Sequence, residues 1–440
     1  MKNIALIAAA LCTLPLHAEA PSTAMAITEG LTTEVGPRLA GTEAEARARD
    51  WAVKKLTALG FANARIEPFT IPGWVRGEER AEITAPFPQK LILTALGHSG
   101  ATPASGLSLE VVTFPTYAAF KAAPDAAIKG KIVYVGHRMN RTQDGSSYGS
   151  FGQVRRDGPS LAAQRGAAAF LIRSIGTDDH RLPHTGVTSW AKDVKPIPAA
   201  ALSNPDADTL ERVASRGSTM RMNLLLTPRF TGPQPSGNVI AELPGRDPGA
   251  GLVLVACHLD SWDLGTGAID DATGCGIITD AALRVAKSGQ QRRTIRVLWA
   301  GAEEVGVFGG DAYFQAHKAE PHALAAESDF GAGRIWQVKF RLPDGAAALK
   351  ARVAEALAAQ GIGAGAGLAH GGADVGQMVG AGAPSIDLSQ DGSRYFDLHH
   401  TGDDSFDKVD PADIEQNVAA WTAMLDLVSN APEQLEGTAR

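Results

Sequence analysis

"HLDSWDLGTGAIDDATGCG", residues 258–276, sets one histidine and four aspartates between an apolar run and a helical pattern. The run before it, "GLVLVAC" (251–257), is continuous and apolar. After it, Ile277, Ile278, Ala281, Ala282 and Val285 recur at helical spacing. Strand, polar loop and helix form the first unit of a series that runs from about residue 236. "TIRVLWA" (294–300) is the next strand, a helix follows near 308–318, and a further strand ends just before Asp329. Continuous apolar strands alternating with helices imply a sheet covered on both faces, an α/β fold with a doubly wound, mostly parallel sheet. In such sheets ligands bind beyond the carboxyl ends of the strands.

The polar residues at those ends are therefore informative. His258 directly follows "LVLVAC", Glu303 and Glu304 follow "RVLWAGA", and Asp329 follows "ALAAES". Asp270 lies on the loop leading into a helix, and "YFDLHHTGDDSFDKVD" supplies His399 and His400 near the C-terminus. Each alone has an ordinary explanation: a hydrogen-bonded structural histidine, an aspartate capping a helix, or two solvated glutamates. Their joint arrival at one rim is what counts, because histidine and carboxylate are ligands that Zn²⁺ accepts. Adjacent glutamates after a buried strand also need compensation by positive charge.

Composition excludes other classes. The 440 residues are 44% hydrophobic and 20% charged, ordinary for a globular chain of two or three domains. A net charge of -7 lacks the basic footprint of a nucleic-acid binder. The start, "MKNIALIAAALCTLPLHAEA", reads as a signal peptide over residues 1–20, with Ala18-Glu19-Ala20 as the cleavage site, so export to the periplasm or medium is expected. Its apolar run is short for a membrane span, and no later stretch supplies an anchor. Cys12 leaves with the signal, and the remaining Cys257 and Cys275 are expected to be buried reduced thiols rather than a bridge.

"GPRLAGTEAEARARDWAVKKLTALGF" predicts an amphipathic helix, with Thr42 and Glu45 spaced as a capping box and Ala48, Ala52, Leu56 and Leu59 on its apolar side. Farther on, "GKIVYVG" (130–136), "SLAAQRGAAAFLI" (160–172) and "KPIPAAALS" (195–203) read as strand, helix into strand, and strand. The Gly- and Ser-rich "NRTQDGSSYGSFGQ" (140–153) reads as a loop. These signals form a smaller α/β module, so the expected division is 21–106 for the N-terminal part of the main domain, 107–228 for an insertion, and 229–440 for the catalytic part.

The segments "GPRLAGTEAEARARDW", "CHLDSWDLGTGAIDDATG", "WAGAEEVGVFG", "ESDFGAG", "HGGADVGQMVGAGAP" and "HHTGDDSFDKVD" resemble, in order, those of the M28 family of zinc exopeptidases, most closely its carboxypeptidase Q branch. The inserted module resembles a protease-associated domain and is expected to roof the site. The resemblance implies two zinc ions held by His258, Asp270, Glu304, Asp329 and His400, with Asp270 bridging. It also implies Asp260 orienting the His258 imidazole and Glu303 acting as general base. Many relatives carry tyrosine where His399 stands; the branch shares the His-His pair, and His399 is expected either to donate to the oxyanion or touch substrate, or to make a structural hydrogen bond. Asp271 has no assigned role. The expected substrate is a dipeptide or short peptide, and the oligomeric state is left open, a homodimer included. Two alternatives stand beside this: a single-zinc glutaminyl cyclase and a non-catalytic binding protein on the same fold.

Overall fold

A computed structural model describes residues 22–435; the expected signal peptide, with Cys12, lies outside the described residues. Five strands build the central sheet: β1 (Ala62–Val75), β2 (Arg229–Leu243), β3 (Leu252–His258), β4 (Ile295–Ala300) and β5 (His322–Glu327), in the spatial order β1-β2-β4-β3-β5. Every residue of β3, β4 and β5 is buried. β3 pairs in parallel with both β4 and β5, whereas β1, β2 and β4 pair antiparallel. The sheet is thus mixed, with its parallel part around the polar loop at His258.

Parallel neighbours need crossovers, and helices supply them. The principal helices around this sheet are α1 (Thr23–Gly30), α2 (Glu43–Ala58), α3 (Thr273–Lys287), α4 (Phe308–His317) and α5 (Pro411–Asn430). α3 connects β3 to β4, and α4 connects β4 to β5. Successive strand residues face opposite sides. Val253, Val255 and Cys257 therefore join the core shared with α1, α3 and α5, while Leu254 and Ala256 join Tyr313 of α4 on the other face. That explains the continuous apolar run: both faces of β3 are covered.

α2 forms where the capping box is expected. Thr42 accepts the Glu45 amide, and Ala48, Ala52 and Leu56 are fully buried. The Glu45 carboxylate reaches back to the Gly41 amide at 2.9 Å, one residue earlier than the usual reciprocal bond.

The second large sheet has eight strands and spans Glu79–Leu226. It contains the expected strands as Ile132–Val135, Ala169–Arg173 and Ala199–Leu202. It also takes in Glu79–Ala85, Gln89–Leu91 and Leu93–Ala95, so it starts well before residue 107. The first two are partly exposed and the third, though buried, is only three residues long, so none shows the apolar run that marks the later strands.

Two expectations are corrected here. The Gly- and Ser-rich stretch expected to be a loop is helical from Ser146, as part of a helix spanning Ser146–Gln164. Asp144 accepts the Ser146 amide at 3.0 Å at its start, and Tyr148, Phe151 and Val154 pack against the core, so tertiary contacts override weak local propensity. Cys257 and Cys275 are not free thiols but form a disulfide, with Cα atoms 5.1 Å apart. Cys257 is the penultimate residue of β3 and Cys275 lies in the first turn of α3, which folds directly back onto that strand. Eighteen residues of separation hide this adjacency in the sequence. No helix among the described residues is long and apolar enough to cross a membrane.

Candidate metal centre

Register brings the candidate residues together. Across the parallel pairs, His258 lies opposite Ala300 and Ala256 opposite Glu327, so β3 and β4 end level and β5 ends two residues short, just before Asp329. Glu303 and Glu304 leave the end of β4, and Asp329 leaves the end of β5. Asp270 arrives on the loop inside the disulfide ring, joined to Asp271 by a cis peptide bond. His399 and His400 come from the segment before α5.

Asp270 sits between two groups. Its Oδ1 is 3.0 Å from His258 Nε2, which is also 3.5 Å from Asp329 Oδ1. Its Oδ2 is 3.3 Å from His400 Nε2, which is 2.8 Å from Glu304 Oε2. Asp270 is buried, and Oδ2 has no hydrogen-bond partner. An orphaned carboxylate oxygen among other carboxylates is costly unless a cation sits there. The residues therefore fit a metal.

Backbone carbonyls orient both imidazoles. His258 Nδ1 donates to the Asp260 carbonyl at 3.0 Å, and His400 Nδ1 faces the Thr185 carbonyl at 3.4 Å, which leaves both Nε2 atoms toward Asp270. The Asp260 side chain does something other than expected. Its oxygens accept the Glu303 and Glu304 amides at 3.0 and 3.3 Å, so it fixes the turn carrying both glutamates. Its carboxylate lies 3.8 Å from His258 Nδ1, and the orienting acceptor is the backbone of the same residue.

Other residues hold the loop. Asp271 accepts the His258 amide at 3.2 Å and the Gly274 amide at 3.0 Å, tying the end of β3 to the start of α3. A Cβ on Gly274 would lie 2.0 Å from the Ser328 carbonyl, so only glycine permits this approach. Asp404 accepts the Ala268 and Ile269 amides at 2.8 and 2.7 Å. Buried Arg38 donates to the Leu259, Thr266 and Gly267 carbonyls. Ala302, Val307 and His400 adopt left-handed backbone conformations around the rim. Such strain, about 1–3 kcal/mol per residue, persists only where the surroundings enforce it.

Burial pushes the Glu303 and Glu304 carboxyls well above the ordinary range, and neighbouring carboxylates add to the shift. Burial opposes protonation of His258, but Asp329 and Asp270 prevail and hold its pKa well up. This is the electrostatic state of a site crowded with negative charge. His399 differs: burial and the neighbouring His184 and Arg155 keep it neutral. Its ring stacks 3.6 Å from that of His400, with Nε2 3.4 Å from Asp270 Oδ2.

The centre opens into a cleft of about 500 Å³. One wall carries Asp270, Glu303, Glu304, Asp329, His399 and His400; the other carries Tyr148, Arg155, Arg156, Val187 and Ser189 from the eight-stranded half. His184, from that half, sits 4.8 and 4.7 Å from the His399 and His400 rings. Arg38 and Asp404 lie in segments singled out in the sequence without being given a role. His184, Tyr148 and Arg155 carry no local signal at all.

Residues 238–425 match the model of peptidase family M28. Carboxypeptidase Q of Bos taurus is 35% identical over 407 residues, covering 91% of this chain and 84% of the relative. The chain belongs to peptidase family M28. Carboxypeptidase Q of Homo sapiens is 33% identical to this M28 peptidase over 406 residues, with the same coverage of 91% and 84%. The solved structure of a peptidase M28 precursor from Shewanella amazonensis superimposes with TM-score 0.92 at 43% identity, covering 95% of each chain. A zinc aminopeptidase from Bacillus subtilis shares the fold, with TM-score 0.64 at 21% identity over 92% of this chain and 93% of that one.

Proposed function

We propose that this M28 peptidase is an exported di-zinc exopeptidase that hydrolyses dipeptides or short peptides. In this reading His258, Asp270 and Asp329 hold one ion, Asp270, Glu304 and His400 hold the other, and Glu303 is the general base. The observation that carries it is the division of Asp270, with one oxygen toward His258 and the other, lacking a hydrogen bond, toward His400. Bound zinc supplies Lewis-acid polarisation of the peptide carbonyl and makes water easier to deprotonate.

The chain's own residues do the rest. Glu303, held by the Asp260 clamp on its amide, takes a proton from the attacking water and delivers it to the leaving amine. Neutral His399 is a hydrogen-bond donor for the oxyanion that develops beside it. The eight-stranded unit, read as the protease-associated insertion, supplies the arginine-bearing wall that faces the metal residues and would restrict substrate length. Export is supported by the Cys257–Cys275 disulfide, since such bridges persist in oxidising compartments.

Elemental analysis of active enzyme should give two zinc ions per chain, and chelation should abolish dipeptide hydrolysis while the protein stays folded. One ion per active chain would overturn the two-metal reading and return the cyclase alternative. Zinc-loaded protein without hydrolytic activity would favour the binding protein.

Asp260 offers a separate check. In Asp260→Asn one acceptor becomes an NH₂ group facing a peptide N–H, so the glutamate turn loosens while the backbone carbonyl still orients His258. The expected result is a fall in kcat of about 10- to 100-fold with zinc content unchanged. Loss of zinc instead would show that the Asp260 side chain supports His258 after all.

A further inference from the structure

The cleft's charge distribution points to the end of the substrate that it grips. Its four carboxylates, Asp270, Glu303, Glu304 and Asp329, are all committed to metal or to the attacking water, leaving none there for a substrate ammonium. Its cations, Arg155 and Arg156, are neighbours on the Ser146–Gln164 helix, and neither pairs with a carboxylate among the described residues.

Arg155 is 4% exposed, with Nη1 against the Tyr148 hydroxyl at 2.9 Å, His184 Nε2 at 3.1 Å and the Thr185 carbonyl at 3.2 Å. Its Nε has no partner. Gly186, at φ +133°, lies so close that a Cβ would stand 2.1 Å from Nη1, so the chain is shaped around this guanidinium. A buried cation without a counter-ion is unfavourable unless a ligand supplies the charge. Arg156 is half-buried and makes one long hydrogen bond, 3.5 Å to the Gly149 carbonyl, which leaves most of its fork available.

Resting on the peptidase reading above, we propose that Arg156 binds the free α-carboxylate of the residue on the leaving side of the scissile bond, with Arg155 as a fixed positive charge behind it. Three covalent bonds separate the scissile carbonyl carbon from that carboxyl carbon, a span of at most about 4 Å. The anchor must therefore lie close to the metal centre. Arg156 lines the same cleft of about 500 Å³ as Asp270, Glu303 and His400, and behind it the His184 imidazole that Arg155 contacts is 4.7 Å from the His400 ring. A planar guanidinium can hold a carboxylate by two parallel bonds, which favours a carboxyl terminus one residue beyond the cleaved bond.

The test compares dialanine with dialanine amide on zinc-loaded enzyme. The expected kcat/KM for the amide is about 10- to 100-fold lower, the worth of a charge-assisted hydrogen bond. Arg156→Ala should raise KM for dialanine by a similar factor and leave the amide unchanged, and Arg156→Lys should recover part of the loss. Wild type cleaving both substrates equally, or Arg156→Ala impairing both equally, would overturn the assignment. Failure to cleave either substrate would instead strike the peptidase reading beneath it.

Discussion

Glu303→Gln should lower turnover by about 10²- to 10⁴-fold while leaving zinc content unchanged. The substitution keeps size and hydrogen-bonding capacity but removes the proton acceptor. Glu303 lines the cleft, and the nearest contacts to Asp270 come from His258 and His400, so Glu303 is the glutamate left to serve the water. Glu304→Gln makes the contrast, because Glu304 Oε2 lies 2.8 Å from His400 Nε2 and its loss should weaken metal binding first. Parallel kinetics and metal titration separate the two. A Glu303→Gln protein that hydrolyses peptides normally, or that simply loses zinc, would mean that the neighbouring glutamates have been given each other's roles.

The alternating half of the fold is legible because both faces of its strands are covered. "LVLVAC" and "VLWA" are uninterrupted apolar runs for that reason, and the parallel rim follows from them. The N-terminal edge of the eight-stranded sheet is opaque because Glu79–Ala85 and Gln89–Leu91 are short and half-exposed, with composition close to that of loops. The Ser146–Gln164 helix is opaque for another reason. Its first turns contain Gly149 and Gly152, poor helix formers, and are held by packing of Tyr148 and Phe151, which no local pattern records.

At the site, candidate ligands at strand ends can be found by position, and the structure brings His258, Asp270, Glu304, Asp329 and His400 together. What position alone misses is atom-level division of labour. Asp260 stands two residues from His258 and does touch it, but through its carbonyl, while its carboxylate holds a turn more than forty residues away in sequence. Likewise Cys257 and Cys275 meet only because α3 packs back on β3. Their bridge closes the loop that carries His258 and Asp270, constraining both in the unfolded chain as well as the folded one.

Asp270→Asn should have the other large effect, and it should appear in stability as well as activity. The metal-free site concentrates carboxylates in a buried volume: burial raises the Asp270 pKa, and nearby Asp329 adds to it against the pull of His258. A neutral amide relieves that crowding, so the metal-free variant should be at least as stable as metal-free wild type. With zinc the order should reverse. A ligand that binds only the folded state stabilises it by about 2.7 kcal/mol at a hundred times its Kd, and the variant loses most of this because an amide cannot serve two cations with two anionic oxygens. Melting curves with and without zinc should therefore be well separated in wild type and nearly coincide in Asp270→Asn, with peptide hydrolysis abolished. A variant that still gained wild-type stabilisation from zinc and still bound two ions would show that Asp270 does not bridge.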